Sequence, residues 1–186
     1  ITIAANMILD VKKRVLQISN NNKYILEFGD FHAYGASNVI PEKAFLQGTL
    51  RTLDENFRQM VHDLLRNHMK ELEKKYGGSC LLEIKKGYPN LYNNPELTEK
   101  CKKLSRKFLG LKFVKELDIR MASEDFSYFS QKCPSCFFRL GVANIKKDIN
   151  HLVHTPYFNI DENSLEIGVG LMSYLTVFNL LNLKTV

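Results

Sequence analysis

Two polar side chains between Phe31 and Thr52 carry the first chemical possibility in this chain. Asn38 ends the string YGASN, beside a turn, where an amide offers one donor and one acceptor group. Arg51 lies three residues after Gly48, and glycine lets another backbone or a ligand come close. An arginine fork holds a carboxylate through two parallel hydrogen bonds. The same spacing also suits a turn asparagine and a salt-bridged surface arginine, and the residue types alone leave both readings open. His154 stands two residues before Pro156, where an imidazole can serve as a metal ligand or simply as an exposed loop side chain. Glu124 and Asp125 follow Ser123, as at the start of a helix, where acidic groups are favoured. His32 lies just before the Asn38 loop and fits no motif, and His62 and His68 fall on a helical stretch. Among the cysteines, only Cys133-Pro134-Ser135-Cys136 has motif spacing. Cys80 and Cys101 do not supply the second close pair that a zinc knuckle needs. A proline turn leading into a strand is the better reading of that string.

The elements that must position these groups follow from hydrophobic period and punctuation. Residues 1–18 carry an apolar stripe at helical spacing, ended by Asn20-Asn21-Asn22. Residues 24–28 and 44–51 read as strands around the Asn38 loop. Asp54 opens a long amphipathic helix that Gly77-Gly78 stops, and residues 80–86 read as a third strand. Helix, strand, strand, helix, strand is the order of a ferredoxin-like layer that lacks its first strand. The breaks at residues 87–90 and 93–95 suggest a domain crossing, with one part over residues 1–88 and another over 89–186. In the second part, helices are expected from Pro95 to Phe108 and from Asp161-Glu162 to about Leu183. Strands are expected at 113–118 and 137–141. The fold class is therefore α/β: an α+β layer followed by part of an α/β sheet domain.

The chain has 186 residues, enough for one domain or two small ones, and its 45% apolar content can bury a core. No continuous run reaches the roughly 18 apolar residues of a membrane span, so no membrane partner is expected. The sequence opens on Ile1, already inside a helical pattern and without signal-peptide layout, which suggests a piece of a longer protein cut on its N-terminal side. The net charge is +6, carried mostly by scattered lysine pairs such as Lys12-Lys13 and Lys102-Lys103. That is a Lys-rich surface rather than an arginine stripe with interleaved aromatics. Tyr24 and Phe28 alone do not make an RNA-binding face, so no nucleic acid is expected. Four cysteines without a disulfide-like framework point to reduced thiols and a cytoplasmic setting.

Five strings in register, YGASNVIP (34–41), GTLRT (48–52), MASEDFS (121–127), FFRLG (137–141) and HTPYFNIDE (154–162), resemble one family. It is that of the zinc-dependent amidohydrolases and exopeptidases that include hippurate hydrolases, aminoacylases and plant auxin-conjugate hydrolases. The resemblance covers nearly the whole chain and is nearest to the hippurate-hydrolase branch. It implies a catalytic α/β domain with bound metals and an inserted ferredoxin-like lid that often dimerises. Residues 1–88 would be most of the lid, and 89–186 the C-terminal part of the catalytic domain. His154 then matches the last metal-binding histidine, for zinc or manganese, with two ions per active site. Arg51 matches a lid arginine suited to the substrate's free carboxylate. Asn38 matches a lid asparagine facing the cleft, and Gly141 a glycine whose backbone approaches the substrate. Glu124 matches one of an acidic pair, either supporting the metal site or starting a helix.

The resemblance also implies what is missing. No Cys-Gly-His-Asp segment, no Glu-Glu pair and no lid Pro-His motif occurs, so the general base is expected upstream and no catalytic residue in this chain. The function implied is metal-dependent hydrolysis of the amide bond of an N-acyl amino acid or small peptide by the parent protein, a homodimer through the lid. The alternative is a non-catalytic, lid-type dimerisation or binding module.

Overall fold

The computed structural model describes residues 1–182 of the chain; the expected helix end at Leu183 lies outside them. The elements are α1 (Thr2–Ile18), β1 (Tyr24–His32), β2 (Phe45–Thr52), α2 (Glu55–Tyr76), α3 (Pro95–Leu109), the short α4 (Ser127–Ser130) and α5 (Asn163–Asn182), with single 3-10 turns at Leu111–Phe113 and Ile145–Lys147. The chain is mixed α/β and divides into two compact units. The first comprises Ile1–Leu91 and Ile119–Tyr128; the second comprises Tyr92–Asp118 and the described residues from Phe129 onward.

In the first unit, β1 and β2 form an antiparallel hairpin in the register Tyr24↔Thr52, Phe28↔Gly48 and His32↔Phe45, with a shift at Gly29. Successive strand side chains point to opposite faces. Tyr24, Leu26 and Phe28 therefore turn inward while Ile25 and Glu27 face out. Val11 and Val15 of α1, Leu26, and Phe57 and Val61 of α2 close the core. Each such burial contributes roughly 1.5–3 kcal/mol. Gly48 is obligatory, because a Cβ there would stand 2.7 Å from the Glu27 carbonyl oxygen. Helix α2 begins where Asp54 accepts a hydrogen bond from the Phe57 amide at 2.6 Å. It ends where Gly77 adopts φ 71°, a left-handed cap that glycine takes without penalty. Glu55 in its first turn and Lys74 and Lys75 in its last complement the helix dipole.

In the second unit, Asn94 caps α3 by accepting from the Leu97 amide at 2.9 Å, with Pro95 in the first turn. α3 packs on α5 through Cys101, Leu171 and Leu175, with Leu97, Leu104 and Cys136 around them. Gly170 and Gly168 of α5 let Phe108 and Leu140 approach, since a Cβ would meet them at 3.0 and 2.9 Å. The Asn93 side chain donates to the Phe137 carbonyl at 3.0 Å and accepts from the Phe137 amide at 2.7 Å. One amide thereby takes both backbone groups that a neighbouring strand would have taken.

Three expected strands are corrected. Among the described residues the sheet has two strands, and residues 80–86, 113–118 and 137–141 carry no ladder. A strand is a pairing and not only a propensity. In 80–86 burial still alternates from Cys80 to Lys85, as a strand's would, but no ladder pairs with it among the described residues. The acidic turn at 123–126 precedes its short helix, which starts only at Ser127. No run is continuously apolar over the length of a membrane span, yet one described helix is long enough and apolar enough on average. α5 qualifies by length and composition over Asn163–Leu181, Glu166 being its one charged residue. Its packing on α3 through Leu171 and Leu175 makes it equally a core helix.

Candidate functional site

Asn38 is presented at the apex of a two-residue turn. The Ala36 amide donates to the Val39 carbonyl at 3.3 Å and the Val39 amide to the Ala36 carbonyl at 3.0 Å, closing a small hairpin around Ser37 and Asn38. Gly35 is required beneath it, because a Cβ there would fall 2.5 Å from the Val39 carbonyl oxygen. Asn38 is exposed, so its amide is available to a ligand.

Arg51 is opposite Ile25 on β2 and exposed. Its Nη1 donates to the Met121 carbonyl at 2.6 Å. Among the described residues no carboxylate pairs with it, so the salt-bridge reading is not what the structure shows. The bond to Met121 fixes one arm of a guanidinium that has five N–H donors. The others remain for an external acceptor.

Glu124 belongs to the same unit. Its Oε1 accepts from the Phe126 amide at 3.3 Å, and its carbonyl accepts from the Ser127 amide at 3.2 Å. That is turn and helix-start chemistry, one of its two sequence readings. Arg51 and the 119–128 segment thus come together in the first unit through Met121, a contact sequence reasoning missed, since a backbone carbonyl carries no residue-type signal.

His154 and Gly141 lie in the second unit. His154 is exposed and holds φ 67°, a left-handed conformation in which a non-glycine residue is uncommon. The turn around it is held by Thr155 Oγ1 donating to the Leu152 carbonyl at 2.8 Å and the Phe158 amide donating to the Thr155 carbonyl at 3.1 Å. Backbone strain of this kind collects at ligand-holding sites. Gly141 is exposed, and a Cβ there would meet nothing within 4 Å. Its lack of a side chain therefore serves no packing need among the described residues. Nearby, the Asp161 amide donates to the Val142 carbonyl at 2.9 Å. Hydrogen bonds from Asn144 and Lys147 hold the Asp161 carboxyl below the usual carboxylate range.

A metal site needs three or more protein ligands. Among the described residues no three His, Cys, Asp or Glu side chains cluster for one. Among them His154 does not have two further such donors beside it.

Sequence reasoning gave His32 no role, yet the structure gives it partners. Its Nε2 lies 2.6 Å from Asp30 Oδ1, its Nδ1 lies 3.1 Å from the Tyr34 hydroxyl, and its ring stacks on Tyr34 and Phe45. The alternate-residue spacing of Asp30, His32 and Tyr34 on an extended chain was the available signal.

The comparisons with known proteins agree with one family. The sequence model of Peptidase family M20/M25/M40 matches residues 11–176, and the chain belongs to that family. It is 33% identical to thermostable carboxypeptidase 1 of Saccharolobus solfataricus over 93% of this chain and 43% of that protein. It is 32% identical to the N-acetyldiaminopimelate deacetylase of Streptococcus sanguinis over 78% of this chain and 37% of the relative. A structure from methicillin-resistant Staphylococcus aureus, assigned as an aminohydrolase, superposes with a TM-score of 0.73 at 30% identity, covering 95% of this chain and 44% of that one. The Bacillus subtilis YXEP protein, described as a dinuclear metal binding peptidase, superposes with a TM-score of 0.76 over all of this chain and 46% of that one. Its 22% identity speaks for the fold alone. The chain spans less than half the length of the curated relatives it matches.

Proposed function

We propose that the parent protein is a metal-dependent hydrolase of the amide bond in N-acyl amino acids or small peptides, of the hippurate-hydrolase and auxin-conjugate branch, to which this chain contributes substrate recognition and one metal ligand. The carrying observation is Arg51, a guanidinium steadied by the Met121 carbonyl at 2.6 Å and free of a carboxylate partner among the described residues. A free α-carboxylate is the complementary acceptor. Asn38 at its turn apex would take an amide or carboxylate oxygen, and Gly141 would admit the substrate's backbone. His154 would ligate one of two divalent ions, zinc or manganese. The remaining ligands and the general base would come from outside this chain, and Glu124 would support the site from its turn. The bound metal would supply an acidified water and a polarised carbonyl; what this chain's own residues do is hold the carboxylate end so that orientation is settled by binding. The names of the carboxypeptidase and deacetylase relatives support amide substrates that end in a carboxylate. A homodimer through the first unit and a reducing, cytoplasmic setting belong to the same proposal, the latter fitting four unpaired cysteines.

The test compares Arg51→Ala with the unaltered full-length protein on a substrate with a free carboxylate and on its C-terminal amide. A charge-assisted hydrogen bond contributes about 1.5–3 kcal/mol, so KM for the acid is expected to rise about ten- to hundredfold, with little change for the amide. Equal losses on both substrates would remove Arg51 from carboxylate recognition.

A further inference from the structure

Two of the four cysteines meet inside the second unit. Cys101 sits on the inward face of α3 and is buried with Leu171 and Leu175; Cys136 packs against that cluster, partly buried. The Cys136 thiol, after burial, helps push the Cys101 thiol above its ordinary pKa, as a close neighbour would. Both are free thiols in the structure. The backbone on each side of Cys136 is pinned: the Ser135 carbonyl accepts from the Asn94 amide at 2.8 Å, and the Asn93 side chain holds both polar groups of Phe137. Helix α3 fixes the backbone of Cys101. Two thiols in one packed cluster, each carried on a backbone held in place, are positioned for a covalent bond.

We propose that Cys101 and Cys136 form a reversible redox-modification site that closes to a disulfide when the protein meets a two-electron oxidant of the peroxide class. Cys136 is the more exposed of the two and reacts first. Its thiolate attacks one peroxide oxygen, the O–O bond breaks, and a sulfenic acid and hydroxide result. The Cys101 thiolate then attacks the Cys136 sulfur, forming the S–S bond and expelling the oxygen as hydroxide. With the two thiol protons counted, two thiols and one hydrogen peroxide give one disulfide and two waters. Burial pushes the Cys101 thiol above its ordinary pKa, which suits a resolving partner better than a first target. The Asn179 amide, 3.9 Å from the Cys101 sulfur, favours its thiolate at the second step. Closure would tie α3 to the segment that leads into Gly141. This site is separate from the substrate chemistry proposed above and does not depend on it.

The rival pairing is Cys133 with Cys136, by sequence spacing. Cys133 is exposed, its sulfur 3.6 Å from the Phe129 carbonyl and 3.7 Å from Ser135 Oγ. The full-length protein, reduced and desalted, would be treated with hydrogen peroxide, alkylated and mapped by mass spectrometry without reductant. The expected result is a peptide pair joined through Cys101 and Cys136, lost on adding dithiothreitol, formed equally in Cys133→Ala and absent in Cys101→Ala. A Cys133–Cys136 link overturns the proposal, as does irreversible over-oxidation of separate thiols or no reaction. The map of the unaltered protein decides the matter even where a variant fails to fold.

Discussion

At the scale of single residues, the most informative position is His154, because its backbone and its side chain can be tested apart. A left-handed φ costs a non-glycine residue about 1 kcal/mol or more, and glycine nothing. His154→Gly is therefore expected to leave thermal stability unchanged or slightly raised. If the imidazole ligates metal in the full-length protein, the same substitution is expected to lower bound zinc or manganese, measured by elemental analysis after dialysis. Unchanged metal content would remove His154 from the ligand set. His62 offers a separate residue-scale prediction. It is buried on α2, with Nδ1 left without a hydrogen-bond partner among the described residues. Burial, then Arg66, Arg58 and Lys86, push its pKa below 6.5, against a small opposite pull from Asp63. The folded protein thus resists a proton that the unfolded chain accepts. Stability from this group is complete above the unfolded value near 6.5 and is lost as pH falls below it. The urea midpoint is expected to fall between pH 7.5 and pH 5.5, with a shallower fall in His62→Leu. Equal slopes in the two proteins would show that His62 is not the source.

At the scale of elements, helices and the hairpin were legible in the sequence because their signals are local. The α2 stripe, its Asp54 cap and the Gly77 stop lie within the element they define, and the two strands flank a turn marked by Gly35 and Asn38. Residues 80–86 and 137–141 have strand-like sequences, but a strand also requires a neighbour at hydrogen-bonding distance, and local sequence carries no information about one. Among the candidate site residues, Asn38 and Arg51 of the first unit and Gly141 and His154 of the second were legible as residue types. The anchoring of Arg51 by Met121 was not, because seventy positions and only a backbone atom connect them. Two glycines separate packing from function at this scale. Gly48→Ala would drive a Cβ to 2.7 Å from a backbone oxygen, so a loss of roughly 1–3 kcal/mol in stability is expected by denaturant titration. Gly141→Ala meets open space and is expected to change stability by less than about 0.5 kcal/mol. A fall in kcat/KM of the full-length Gly141→Ala protein without a fall in stability would then mark contact with substrate; a loss of stability would instead reveal a packing role.

At the scale of the whole molecule, the two units differ in how well they satisfy their own apolar surface. In the first, α1, α2 and the inward face of the hairpin enclose a shared cluster. In the second, α5 buries Leu171 and Leu175 against α3 but leaves Leu165, Val169, Met172, Val177, Leu180 and Leu181 exposed. A helix apolar around its circumference belongs in a larger core or in a bilayer. The relatives matched are more than twice as long as the aligned part, and in a parent protein of that length the larger core would be the cover. Two outcomes are therefore expected when the 186-residue chain is made alone. It should bind an apolar dye such as anilinonaphthalene sulfonate more strongly than the full-length protein does, in proportion to the uncovered face of α5. It should also hydrolyse neither hippurate nor an acetyl-amino acid with zinc or manganese added, because no three metal donors cluster among the described residues. The two readings are independent. Dye binding without activity fits the proposed division, in which this chain would hold the carboxylate and other sequence would supply the metal's remaining ligands. Metal-dependent turnover by the chain alone would overturn that division of roles at once, whatever the dye reports.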